Sequence, residues 1–289
     1  MTRMDARLQR RVQRYGWDRA AGCYGSAWQG QLAPAHDLML ALARLRPGEQ
    51  VLDVACGTGL VTFRAAHAVG CGEVVGTDLS GEMVQATAAT AQSCGFRRVR
   101  FERADAEALP FAVGRFDVAL CGLGLMYVPD PAAALREMRR VLRPEGRVAV
   151  AVWGARRHCG WADIFPITDA RVASDVCPMF FRLGTGEAMA EALAAAGFAD
   201  VTVERLATLL HYDSADAALT AVFRGGPVAL AYSRFDQATR SAVHAEYLQS
   251  IAPYRVGDGY RIPGEFVVAA ARTTASIRRQ EGDYAHAAV

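Results

Sequence analysis

Val51-Leu52-Asp53-Val54-Ala55-Cys56-Gly57-Thr58-Gly59 is the stretch on which the reading of this 289-residue chain turns. A short apolar run passes into a glycine-rich turn and then into the helical pattern TFRAAHAV, so it reads as buried strand, tight turn and helix start. Gly57 and Gly59 carry no side chain that would keep a ligand away from the backbone. The same rhythm repeats downstream in VVGTDLS, the helical EMVQATAATAQ, VRFERAD, FDVALCG, the helical PAAALREMRRVL and RVAVAVW. Strands alternating with helices of this length need crossover connections, which predicts an α/β fold: a doubly wound, mostly parallel seven-stranded sheet with helices on both faces.

The ligand class follows from the residues around the turn. Asp78 ends the next strand, where a carboxylate can accept from both hydroxyls of a ribose. Position 62 is Thr, so the third glycine of a dinucleotide fingerprint is missing, and Asp53 before the turn would repel a pyrophosphate. Asp53 can instead pair with the ammonium of a methionyl group. Ala104-Asp105-Ala106 follows the third strand, where Asp105 can accept from an adenine amine. Three spaced carboxylates matched to donors of one ligand point to S-adenosylmethionine rather than a nicotinamide dinucleotide.

With these residues in view, the chain resembles the class I S-adenosylmethionine-dependent methyltransferases, and within them the ubiquinone-biosynthesis-like small-molecule group. The resemblance rests on VLDVACGTG, on VVGTDLS with Met83, on RADAEALPF, on FDVALCGLGLMYVPDP and on LREMRRVLRPEGRVAVAVWG, and covers roughly residues 45–155. It implies that Asp53, Ala55, Gly57, Thr58 and Gly59 surround the methionine part and that Asp78 binds ribose. It also implies that Leu79 and Met83 pack on adenine, that Ala104, Asp105 and Ala106 hold its edge, and that Cys121 lies against the sulfonium. Glu145 stands after Pro144 where the family often has Gly, a departure in a turn with no expected effect on binding. The implied activity is methyl transfer to O, N or activated C of a small, partly apolar metabolite by in-line displacement. The alternative is a fold relative that binds the cofactor but catalyses a cyclisation or decarboxylation.

Composition narrows the rest. All 32 basic residues are arginine, which removes Schiff-base, pyridoxal-phosphate and Walker-A lysine chemistry. A net charge of +2 argues for neither nucleic acid nor an anionic membrane. Seven cysteines without a C-x-x-C pair fit reduced thiols, and with no signal core or membrane span the expected location is cytoplasmic. No metal is expected, the expected partner is a small-molecule acceptor without nucleic acid or membrane insertion, and a homodimer is allowed.

Three segments are expected: a helical lid at 1–46, a cofactor-binding core at 47–155, and at 156–289 the completion of the sheet with acceptor-cover insertions near 156–184 and 214–262. Thr185 is expected to cap the helix EAMAEALAAA. The lid carries Tyr24 and Trp28, which either touch the cofactor or pack in the core. Around the acceptor, Tyr127 is a candidate contact, and His158 and His211 are candidate general bases, each against the ordinary reading of a surface histidine. Arg182 and Arg255 are the arginines expected to meet an acidic acceptor. The stripe Arg7, Arg10, Arg11 and Arg14 reads as a solvated or acid-paired face.

Overall fold

The computed structural model describes residues 5–172, 177 and 179–274. The first four residues of the predicted lid, residues 173–176 and 178 of the first cover and the chain beyond 274 lie outside the described residues. Eight strands form one sheet: β1 (Gln50–Val54), β2 (Glu73–Asp78), β3 (Val99–Arg103), β4 (Phe116–Gly122), β5 (Leu142–Trp153), β6 (Ala199–Tyr212), β7 (Arg255–Val256) and β8 (Gly259–Arg272). The order is β3-β2-β1-β4-β5-β8-β6, with the two-residue β7 paired to β8 beside this seven-strand path. β1 to β5 run parallel, and β8 lies antiparallel between β5 and β6. The apolar runs VLDV and DVALC fall on β1 and β4, which have neighbours on both sides and are buried.

The lid segment, expected to be helical, is one continuous helix, α1 (Ala6–Ala43). Pro34 removes one intrahelical bond, but burial of Trp28, Leu32, Ala35, Met39 and Ala43 along the inner face carries the helix through it. The chain then leaves by Arg44 in the left-handed conformation. In the core, α2 (Thr62–Val69), α3 (Gly81–Ser93) and α4 (Pro131–Val141) link the parallel strands. Ser80 Oγ accepts from the Met83 N–H and Asp130 from the Ala133 N–H, so the last two start on side-chain caps.

The late segments correct the sequence reading in two places. Thr185 does not cap α6 (Ala188–Ala195); its hydroxyl donates to the Phe181 carbonyl one turn earlier. Residues 255–262, expected within the second helical insertion, are the β7–β8 hairpin. The helical part of that insertion is α7 (Ala215–Leu219), a π turn at Thr220–Arg224, α8 (Ala229–Ser233) and α9 (Gln237–Ser250), while α5 (Ile164–Asp169) belongs to the first.

Strand order reverses between β1 and β4. Crossovers on either side of that point go to opposite faces, which leaves a crevice at the carboxyl ends of the two strands. The site described next lies there.

Candidate active site

A cleft of about 750 Å³ opens at the carboxyl ends of β1, β2 and β4 beneath the N-terminal half of α1. Of the sequence candidates, Tyr24, Ala55, Gly57, Asp78, Leu79, Met83, Ala104, Asp105, Ala106 and Tyr127 line it. The backbone there is shaped for close approach. Gly57 has φ +52°, and a Cβ at Gly124 would fall 2.5 Å from the Ala55 Cβ. Ala55 and Leu123 hold left-handed φ values of 57° and 62° at the ends of β1 and β4. Side-chain-bearing residues enter that region at a cost, and two that face one cleft mark a functional turn.

The carboxylates differ in their surroundings. Asp78 accepts the Gly57 N–H on one oxygen and the Ser80 N–H on the other, both at 2.9 Å, which fixes the glycine turn to β2. Burial raises its pKa to about 6 against the pull of these bonds. Asp105 forms an ion pair with Arg10 of α1 at 2.9 Å, and Arg10 also pairs with Glu107. The lid helix is thus clamped to the loop after β3, and the arginine stripe contributes one member to the cleft. Further along α1, Asp18 accepts the Ser80 hydroxyl at 2.6 Å and Gln13 lines the cleft.

Asp53 is not a wall of the cleft. It is buried, accepts the Thr62 hydroxyl at 2.5 Å, and has a pKa raised to about 7, mainly by burial. Thr62, read from the sequence only as a missing glycine, is its partner. Asp53 faces a small recess shared with Tyr24, Gly57, Gly122 and His36. His36 was missed in the sequence reading, since nothing in its helical context marks it. Burial lowers its pKa to about 4, so it is neutral.

Several other candidates are placed elsewhere. Cys121 sits behind Gly124 rather than on the cleft surface, and burial pushes its thiol up to about 12. Gly59 packs on Phe63 and Thr87, and Thr58 faces Gly25 of α1, so neither lines the cleft. His158 pairs through Nδ1 with Glu265 of β8 at 3.0 Å, while His211 meets Gln31 through its backbone N–H at 2.9 Å. Both line a separate outer groove, together with Gln31 of α1 and Glu265 of β8. Neither lines the cleft. Arg182 lines another groove beside Met179, and Arg255 donates to the Gly257 carbonyl on the exposed β7. Neither reaches the cleft.

A second chamber, of about 310 Å³, shares Trp17, Tyr24, Leu123 and Tyr127 with the cleft. Trp28, Trp153, Trp161, Leu32 and Met126 form its far walls, closed by Gly225, Gly226 and Pro227. Trp28 thus belongs to this chamber and not to the cleft. Its indole N–H donates to the Ala221 and Gly225 carbonyls at 3.2 and 2.9 Å, tying α1 to the late insertion. Tyr127 meets Trp17 and Phe180 edge-on at ring distances of 4.9 and 5.3 Å. Trp17, Met126 and Trp153 come from three segments, and no local pattern could have grouped them.

The family described as a methyltransferase domain matches residues 51–146. The nocamycin O-methyltransferase of Saccharothrix syringae is 30% identical over 260 residues, which cover 83% of this chain and 91% of that protein. The ubiquinone/menaquinone biosynthesis C-methyltransferase of Shewanella frigidimarina is 39% identical over 121 residues, 41% of this chain and 48% of that protein. Among solved structures, the cyclase SpnF superposes with a TM-score of 0.58 at 25% identity, covering 84% of this chain and 81% of that one. Fold and relatives together define a class I S-adenosylmethionine-dependent methyltransferase. The chain belongs to that family and is an enzyme that uses S-adenosylmethionine, while its similarity to the ubiquinone-biosynthesis enzyme spans less than half of either chain.

The residues present fit this cofactor. The cleft offers a buried carboxylate at the end of β2, a backbone turn open at Gly57, and apolar Leu79, Met83 and Ala106 for a flat base. Among the described residues no helix is long and apolar enough to cross a membrane, and no group of three or more histidine, cysteine or acidic residues is placed to hold a metal ion.

Proposed function

We propose that the chain methylates a small, largely apolar acceptor held in the aromatic chamber. The observation that carries this is that the chamber adjoins the cofactor cleft, with Trp17, Tyr24, Leu123 and Tyr127 lining both. When bound, S-adenosylmethionine supplies a methyl group already electrophilic on its sulfonium. The chain's part is to position and to exclude water. Asp78 would hold the ribose, Leu79, Met83, Ala104 and Ala106 the adenine, and Asp105 its amine, with Arg10 fixing that carboxylate from the lid side. Asp53 and Tyr24, at the recess beyond Gly57, are placed for the methionyl end. Leu123 and Tyr127 stand between the two compartments and orient the acceptor toward the cleft. The seven cysteines are free, which supports a reducing, cytoplasmic setting.

Incubation of the full chain with methyl-labelled S-adenosylmethionine and a pool of small aromatic metabolites tests the reading. Label is expected in an extractable product, together with an equal amount of S-adenosylhomocysteine. The similarity to SpnF keeps one other reading open, a step in which the cofactor is bound and not consumed. Product without S-adenosylhomocysteine would decide for it.

A further inference from the structure

We infer that the acceptor reacts through an acidic hydroxyl, of phenol or enol type, which enters already ionised, and that the described walls of the chamber supply no base. The inference rests on the reading of the aromatic chamber as the acceptor site. Its walls carry no carboxylate, imidazole or guanidinium among the described residues. The ionisable side chains on them are the phenols of Tyr24 and Tyr127. Tyr24 is half-buried and faces Asp78 and Asp53, and Tyr127 is half-buried facing Cys177 and Tyr24; desolvation and these neighbours hold both phenols protonated well above neutral pH. In the adjoining cleft the charged groups already have partners, Asp78 on two backbone N–H groups and Asp105 on Arg10. His36 lies in the recess beyond Gly122, and His158 and His211 in the outer groove.

Charge decides between acceptor types. A neutral amine taking the methyl group takes over the positive charge from sulfur, so the charge is moved and not cancelled. An oxyanion meets the sulfonium as its counter-ion, and the two charges cancel as the methyl moves, a change that an apolar enclosure favours. The acceptor oxygen forms the new C–O bond as the C–S bond breaks, with that pair left on sulfur. The products are a methyl ether and S-adenosylhomocysteine, the proton having gone to solvent beforehand. The indole N–H of Trp161, on a chamber wall, is buried with no partner among the described residues, a donor left for an oxygen of the acceptor.

The test uses the full chain with 4-nitrophenol, 4-cyanophenol, 4-chlorophenol and phenol, and with aniline and benzylamine. S-adenosylhomocysteine release is followed against pH, and cofactor binding is measured separately by calorimetry. The rising limb of kcat/KM is expected to move upward in pH with the acidity of each phenol, and to keep its position in Tyr24→Phe and Tyr127→Phe. With the cationic analogue sinefungin bound, 4-nitrophenol should show its phenolate band below its solution pKa. With S-adenosylhomocysteine it should not. A limb fixed at one pH for every phenol would reveal an enzyme base and overturn the inference. Faster turnover of the amines, or calorimetric cofactor binding without turnover of any phenol, would overturn it while leaving the cofactor assignment standing. Absence of cofactor binding would remove both.

Discussion

The cofactor cleft and the aromatic chamber share a wall, yet they are assembled differently. The core walls of the cleft come from four short segments at the ends of parallel strands: 54–57, 77–83, 104–106 and 122–129. Each is a strand end followed by its own turn, so the geometry is fixed locally and by neighbouring strands. The chamber draws Trp28 from α1, Met126 from the turn after β4, Trp153 from the end of β5, Trp161 from the first cover and Gly225 to Pro227 from the second. It exists only because α1 runs unbroken across the sheet and is pinned to the late insertion. The first site is a property of a motif, whereas the second belongs to the packing, so they should fail separately.

Trp28→Ala gives the largest effect. It removes a buried ring packed near Trp153 and Trp161 at ring distances of 6.2 and 6.4 Å together with two hydrogen bonds, and should cost about 3–5 kcal/mol in denaturant unfolding. If the two sites are separate, cofactor affinity of the folded variant should change by less than about threefold. A large loss of affinity would mean that the chamber helps build the cleft. Asp78→Ala is the converse. It should weaken cofactor binding by more than about tenfold, since hydrogen bonds to a charged group contribute roughly 1.5–3 kcal/mol each, and it also releases the Gly57 and Ser80 N–H groups. Calorimetry with unchanged affinity would show that the ribose does not lie there.

A smaller effect is expected from pH. The carboxyls of Asp53 and Asp78 are raised to about 7 and about 6 by burial, from an ordinary 3.8. Between these limits the folded chain holds protons that the unfolded chain has lost, so their contribution is complete at low pH and disappears as pH rises through about 4 to 7. The cofactor-free melting temperature of Asp53→Asn should therefore fall less steeply than wild type over that window. Parallel curves would mean that Asp53 keeps its charge when folded. The smallest change concerns Glu145, which the sequence marked only as a departure from Gly. Its φ is 61°, a strained value for a residue with a side chain. Glu145→Gly should raise stability by roughly 0.5–1 kcal/mol without altering cofactor affinity, in both cases far from either compartment.

Legibility follows the same division. Asp78, Leu79, Met83, Ala104, Asp105 and Ala106 reach the cleft because each lies at or just past a strand end, and strand ends can be read from apolar runs. Asp53 lies one strand end away from the same cleft but points its carboxylate at Thr62, a partner nine residues on that the pattern did not suggest. His158 lies just after β5. Its side chain goes to Glu265 because the antiparallel β8 lies alongside β5, and strand polarity at that edge is not encoded near residue 158. Arg10 was visible as one of four arginines on a helical stripe, but only the fold selects it to meet Asp105 and Glu107.

By itself the sequence determined the alternation of strands and helices, the glycine turn, the spaced carboxylates and the exclusion of lysine chemistry. These are local properties: periodicity, turn chemistry and the distance between one strand end and the next. Tertiary structure decided which aromatic residues form a chamber, that α1 continues through Pro34, and that the candidate bases and arginines face away from it. Those outcomes depend on contacts between residues far apart in the chain, whose free energies are realised only when the sheet, the lid helix and the late insertion pack together.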